Sequence, residues 1–546
     1  EVDFTEYTIN QPVGEVVRGI SESKADIVFF ATYIWNAEYV CKIIPDIKKI
    51  LPTAIVCAGG PEFGYAPEKY FKKLPSLDYI FCGEGELVVS EFLVSIALKK
   101  NLVNFNNCKE IFKLNLSQPT IISKSKENEE YGIYQKENFQ QLDELAFPYP
   151  ELKNLSSVHF DCKNFAENKI FYYESSRGCP YKCMYCLSSV DTRVRFKSLE
   201  KVYEELNIFL NSNVSLVKFV DRTYNLDPQR YIQIWKYILK NHNGKTMFHF
   251  EIEAEYLTEE AFDFLQSVPA GVMQFEIGVQ SANKKTLRAI NRSDNIEKLA
   301  ENIRKLPPTI HQHLDLIAAL PYEDLESFGK SFDFVINLKP DALQLGFLKI
   351  LHGTKMEQYA KDNNWKWMEN PVYESYSTPD LSYEDILFLK DVEILVDVFY
   401  NKENFSFTLN YLFRIINPWY FFSNLAIHAR KNHIFEVARR ETFWYEFLFN
   451  CINEDVISKF DKEIAVDLLR YDFVRRGKQG GFPSWYEHRY NKEKHRELLE
   501  NDGGITNARL DFAHSEYETF NCNVLDDFAE KTKGNTFELL IRYKSY

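Results

Sequence analysis

Polar and apolar residues alternate on strand after strand in the middle of this chain, with helical stretches between the strands. In one run, His249, Glu251 and Glu253 alternate with Phe248, Phe250 and Ile252. In the next, Gln274, Glu276, Gly278 and Gln280 alternate with Met273, Phe275, Ile277 and Val279. In a third, His313 and Asp315 alternate with Leu314 and Leu316. Side chains of a strand point to opposite faces with period two, so each polar set shares one face. Helices between the strands argue for a parallel sheet, whose strands are ordinarily buried on both faces and wholly apolar. A surviving polar face therefore predicts a barrel whose apolar side packs under helices and whose polar side surrounds a polar ligand. An antiparallel sheet with one wet face also alternates, but it needs no intervening helices.

Six candidate strands, 169–176, 215–221, 246–254, 272–279, 312–319 and 343–349, fall within an α/β unit over 166–365. An earlier unit over 1–110 repeats the pattern with buried runs at 26–31, 54–58 and 77–82. Residues 111–165 are polar and read as an appendage and linker. Residues 366–546 read as a mainly helical domain with a β-rich tail at 508–520 and 536–544.

The sharpest local motif is Arg177-Gly178-Cys179-Pro180-Tyr181-Lys182-Cys183-Met184-Tyr185-Cys186, just after the first strand of the central unit. Three thiolates on one short loop can hold three irons of a four-iron four-sulfur cluster and leave the fourth iron open to a small molecule. A zinc site would want a fourth Cys or His at regular spacing, and none follows nearby. The other seven of the ten cysteines are scattered, which is no disulfide framework. Clustered thiols of this kind point to metal or redox chemistry in a reducing, cytoplasmic compartment.

At this motif the sequence resembles the radical S-adenosylmethionine (SAM) superfamily, whose hallmark is Cys-x3-Cys-x-aromatic-Cys; Tyr185 supplies the aromatic. The resemblance implies a partial (β/α)6 barrel and a 4Fe-4S cluster on Cys179, Cys183 and Cys186. It also implies one-electron cleavage of SAM to methionine and a 5′-deoxyadenosyl radical, with an electron donor such as flavodoxin or ferredoxin. Beside Tyr185, four residues match the family's SAM contacts. Glu253 resembles the third-strand Glu, and Gln280 the Gln of Gly-Val-Gln-Ser. Arg292 resembles the Arg that pairs with the SAM carboxylate, and Asp315 the fifth-strand ribose ligand. Phe219-Val220-Asp221-Arg222-Thr223 stands where relatives carry a SAM-amino-group motif.

The first unit, with Gly59-Gly60-Pro61-Glu62 and Gly83-Glu84-Gly85-Glu86, resembles the cobalamin-domain class of these proteins. It lacks the Asp-x-His-x-x-Gly loop, and its first His is His159. It also opens on what reads as a second strand, so the expectation is a truncated Rossmann-like scaffold without cobalamin. The subgroup with a long helical C-terminal domain shares phrases along nearly the whole chain. It implies a queuine lyase that releases 7-aminomethyl-7-deazaguanine for salvage. A cobalamin-dependent methyltransferase is the alternative, and a non-catalytic iron–sulfur protein a second. For a queuine-like base, Asp221, Glu251 and Glu276 offer acceptors. Arg222 and Tyr224 offer cation–π or stacking contacts, and His249 and His313 offer proton transfer near neutral pH. Arg475, Arg476, Trp485, Tyr486 and His488 belong either to a lid or to a packing domain.

The formal charge is −14, a poor basis for binding nucleic acid or an anionic membrane. No apolar run approaches the roughly 18–20 residues that span a bilayer. The expected partners are therefore a small-molecule substrate and an electron donor, with no stable nucleic acid and no membrane.

Overall fold

The computed structural model describes residues 4–99, 121–124, 131–132, 142–153, 169–477, 481–502, 514–526 and 536–543. Most of the expected appendage over 111–165 lies outside these residues, as do Cys108, Cys162, His159 and the middle of the 477–483 loop.

The first unit is built on strands β1 (Ile27–Ala31), β2 (Ile55–Gly59), β3 (Tyr79–Phe81), β4 (Ile121–Lys124) and β5 (Tyr131–Gly132), adjacent in that order. The first three are parallel, and β4 and β5 complete the sheet antiparallel. Val56, Ala58 and Ile80 from the strands bury against Ile43, Ile44, Ile47, Phe63 and Phe71 from the helices.

The central unit adds β6 (Ile170–Tyr173), β7 (Ser176–Arg177), β8 (Arg195–Phe196), β9 (Leu216–Phe219), β10 (Met247–Ile252), β11 (Met273–Gln280), β12 (His311–Ala318) and β13 (Ala342–Phe347). Six of them form one parallel sheet in the order β13-β12-β11-β10-β9-β6. Its two end strands do not pair, so the barrel is partial, as the sequence predicts. The apolar set does pack under helices. Phe248, Phe250, Phe275 and Leu314 share one core with Phe209, Trp235, Phe262 and Phe332. Side-chain caps start these helices on time: Ser198 accepts from Lys201 N, Asp227 from Gln229 N, and Asp324 from Ser327 N.

Among the described residues, the C-terminal region comprises six α-helices from Tyr383–Val396 to Lys492–Asn501 and an antiparallel pair, Ser515–Phe520 with Phe537–Arg542. It docks on the barrel through Trp419, whose backbone N–H donates to Asp333 Oδ1 at 2.7 Å and whose ring meets Phe328 and Phe332. The residues that the sequence offered for a lid or a packing domain find partners within this region. Arg475 pairs with Asp472, Arg476 with Glu441, Tyr486 with Glu518 and His488 with Glu516. Among the described residues no helix is long and apolar enough to cross a membrane.

Candidate active site

A short strand pair closes the cysteine loop at its base. β7 and β8 pair antiparallel at its base, with Arg177 opposite Arg195. Gly178 takes φ +95°, and a Cβ there would lie 2.1 Å from the Arg193 carbonyl oxygen, so only glycine fits. Cys179 N donates to Asp191 O at 3.2 Å, and Cys186 N to Cys183 O at 3.2 Å. Met184 N donates to Ile290 O, and Met356 N to Met184 O, which pins the loop over the barrel. Cys179 is buried and Cys183 and Cys186 are half-buried, all as free thiols. Among the described residues no three His, Cys, Asp or Glu side chains gather around one ion position. A cubic cluster takes each thiolate on a different iron, so its ligands need not.

A solvent-open cleft lies beside the loop, lined by Tyr181, Cys183, Glu253, Gly278, Asn291 and Arg292 among others. Arg292 Nη2 donates to both Glu253 oxygens and to Gly278 O, each at 2.8 Å, while Nη1 lies 3.9 Å from Cys183 Sγ. Burial pushes the Glu253 carboxyl up, and Arg292 opposes it. Burial likewise raises the Cys183 thiol, again against Arg292. At the end of β11, Gln280 is buried at φ +67° with no partner on Oε1. Asp315 Oδ1 is also buried without a partner, and burial together with Glu276 and Glu251 holds that carboxyl well above its usual range. Tyr185 packs against the barrel core, with burial raising its phenol.

Below the cleft, the polar strand positions meet on one face. Glu251 pairs in register with Glu276, and Glu276 with His313. Glu276 accepts from Lys218 Nζ at 2.9 Å and contacts His249 Nε2 at 2.8 Å. The His249 hydrogen bond, with Lys218, lowers Glu276 to about 2. Glu251 lies 3.9 Å from Lys218 and is raised by burial and by Glu276. His313 Nε2 meets Gln274 Nε2 at 3.1 Å and His311 Nε2 at 3.0 Å, and burial lowers its pKa. The sequence reading overlooked Lys218 and His311. Their signal was present: Lys218 stands between the core residues Val217 and Phe219, and His311 stands two residues before His313 on the same face of its strand.

Two substrate assignments do not survive. Asp221 is buried and accepts from Ser175 N at 3.0 Å, from Ser175 Oγ at 2.7 Å and from Ser176 Oγ, so both oxygens hold the approach to the cysteine loop and neither reaches a ligand. Tyr224 is buried in the outer core against Phe250 and Phe219, with ring centroids 4.4 and 5.2 Å apart, and cannot stack on a substrate. Arg222 is exposed, with its charge acting on Glu251.

The segment after β3 reaches the cysteine loop. Glu84, just past β3, pairs with Arg177 at 3.1 Å and with Arg195 at 2.7 Å, and Glu86 pairs with Arg177 at 2.8 Å. After β2, buried Glu62 accepts from Tyr70 and from Tyr373 of the C-terminal region. After β1, Tyr33 and Trp35 stack at 4.5 Å with 38% and 62% of their surfaces exposed.

Residues 173–335 match the model of the Radical SAM superfamily, and residues 1–93 that of the B12 binding domain. Residues 361–537 match a family described as a protein of unknown function, DUF4080. An uncharacterized methyltransferase of Pyrococcus horikoshii is 23% identical over 67% of this chain and 75% of its own length. The cobalamin-dependent radical SAM methyltransferase TokK of Streptomyces tokunonensis is 24% identical over 58% of this chain, which spans only 45% of that relative. Among solved structures, the cobalamin-dependent SAM radical enzyme OxsB, with aqua-cobalamin and SAM bound, aligns over 85% of this chain and 72% of its own. The TM-score is 0.54 and the identity 14%, a likeness of fold. Two expectations fall here. Queuine cleavage gives way because these relatives are methyltransferases. The exclusion of cobalamin gives way because the first unit matches a B12 binding domain.

Proposed function

We propose that this chain, a radical SAM enzyme with a B12-binding unit, transfers a methyl group from SAM to a small polar substrate with cobalamin as the second cofactor. The observation that carries this reading is the junction: the segment after β3 meets the base of the cysteine loop through Glu84, Glu86, Arg177 and Arg195. When bound, the cluster supplies one electron for SAM cleavage, from a donor such as flavodoxin or ferredoxin, and the corrin supplies a methyl carrier.

The residues present fit these groups. Cys179, Cys183 and Cys186 hold the cluster, on a loop that Gly178 and the Asp191 carbonyl close. Arg292 and Glu253 orient the amino-acid end of SAM in the cleft they line. The partnerless Gln280 Oε1 and Asp315 Oδ1 accept hydrogen bonds from the ligand. Tyr185 backs the loop. His249, Glu251, Glu276 and His313, with Lys218, bind the substrate in the barrel interior. The exposed Tyr33–Trp35 stack offers the corrin an apolar face.

Anaerobically reconstituted protein, given methyl-labelled SAM and a low-potential reductant with and without cobalamin, tests the reading. S-adenosylhomocysteine should accumulate only with cobalamin. Formation of 5′-deoxyadenosine alone under both conditions would exclude it.

A further inference from the structure

Arg177 and Arg195 face each other directly across the β7–β8 pair that closes the cysteine loop. Like charges directly opposite on paired strands are destabilising. Here both are largely buried, with 20% and 7% of their side chains exposed, so water does little to screen them. Glu174 and Asp191, from the same segment, each take one guanidinium. The group between them comes from the other unit. Glu84 Oε2 receives Arg177 Nη1 at 3.1 Å and Arg195 Nη1 at 3.0 Å, and Oε1 receives Arg195 Nη2 at 2.7 Å. Glu174 and Asp191 hold the two guanidinium groups singly, whereas Glu84, from the N-terminal unit, bridges them.

We infer that Glu84 is a positioning residue: through Arg177 and Arg195 it makes closure of the cysteine loop depend on docking of the B12-binding unit. This inference rests on the proposed function for its catalytic meaning, but not for its structural test. Gly83 and Gly85 flank Glu84, and Gly83 takes φ +81° with nothing within 4 Å of an added Cβ, so the turn that presents Glu84 has room to move. Glu86, which reaches Arg177 alone, plays a lesser part.

The test uses the full chain with its cluster reconstituted, as wild type, Glu84→Gln, Glu84→Asp and Glu86→Gln. Amide hydrogen exchange is followed in peptides covering 83–86, 174–177 and 191–196, and in the helix Leu199–Asn211 as reference. Glu84→Gln should speed exchange in the first three regions by at least about tenfold, the scale of a lost charge-assisted hydrogen bond, and leave the reference unchanged. Glu84→Asp should restore much of the protection, and Glu86→Gln should have a smaller effect. With cobalamin and SAM, Glu84→Gln should also lower the ratio of S-adenosylhomocysteine to 5′-deoxyadenosine while iron content holds. Unchanged exchange in Glu84→Gln, or a rise that is equal in the reference helix, overturns the inference. Wild type that makes no S-adenosylhomocysteine overturns methyl transfer instead, and the exchange result still decides the role of Glu84.

Discussion

Arg292 grips Glu253 with a single nitrogen, Nη2, which lies 2.8 Å from each carboxylate oxygen and 2.8 Å from Gly278 O. The pair joins the end of β10 to the segment after the helix Lys284–Ala289, at the wall of the cleft beside Cys183. Its two members are unequal. Removing the arginine strands a largely buried carboxylate, whereas removing the charge of Glu253 leaves Arg292 with the Gly278 carbonyl.

Arg292→Ala should therefore destabilise by about 2–3 kcal/mol, more than Glu253→Gln. It should also weaken SAM binding roughly tenfold to a hundredfold. Thermal unfolding and anaerobic titration calorimetry read the two effects. Unchanged SAM affinity would remove Arg292 from the site.

Replacing Cys179, Cys183 and Cys186 together with Ala should abolish the cluster's visible absorption and leave far-ultraviolet circular dichroism intact. Full iron and sulfide in that variant would contradict the cluster assignment.

Asp221→Asn should act on the loop and not on a substrate. One of the carboxylate oxygens that serve Ser175 and Ser176 becomes a donor. Lower thermal stability and poorer cluster retention are expected. Normal stability with selectively impaired substrate binding would restore the role that the sequence suggested.

Glu323 gives a pH signature. It is buried and accepts from Ser281 Oγ at 2.6 Å and Ser331 Oγ at 2.8 Å, so it fixes the turn after Gln280. Burial, opposed by those hydroxyls, raises its pKa from 4.5 to about 7. The folded state then binds more proton than the unfolded state between these values, so stability falls as pH rises from about 4.5 to about 7. The loss is on the order of 2–3 kcal/mol. Glu323→Gln should flatten that part of the stability profile and gain on wild type at pH above 7. Denaturant unfolding at several pH values checks it, and parallel profiles for the two proteins would contradict it.

The barrel was legible because alternation carries two signals at once: which residues are strand and which face is wet. His249, Glu276 and His313 fall where period two puts them. Asp221 and Tyr224 were misplaced because they follow β9, where alternation ends and sequence no longer tells inside from outside. The first unit was misjudged because a ligand motif was weighed above the scaffold, and it is the scaffold that matches a B12 binding domain. The Glu84 bridge was hidden for another reason: Gly83-Glu84-Gly85-Glu86 and Arg177 are each visible, but only the fold brings them together.

The most direct measurement of the central claim is the cofactor content of one chain. The protein is reconstituted anaerobically with iron, sulfide and hydroxocobalamin, desalted, and assayed for iron and for corrinoid absorption, with Trp35→Ala alongside. The account predicts stoichiometric corrinoid together with a 4Fe-4S cluster in wild type, and a lower corrinoid share with the iron unchanged in Trp35→Ala. A full complement of iron with no retained corrinoid in wild type would contradict it.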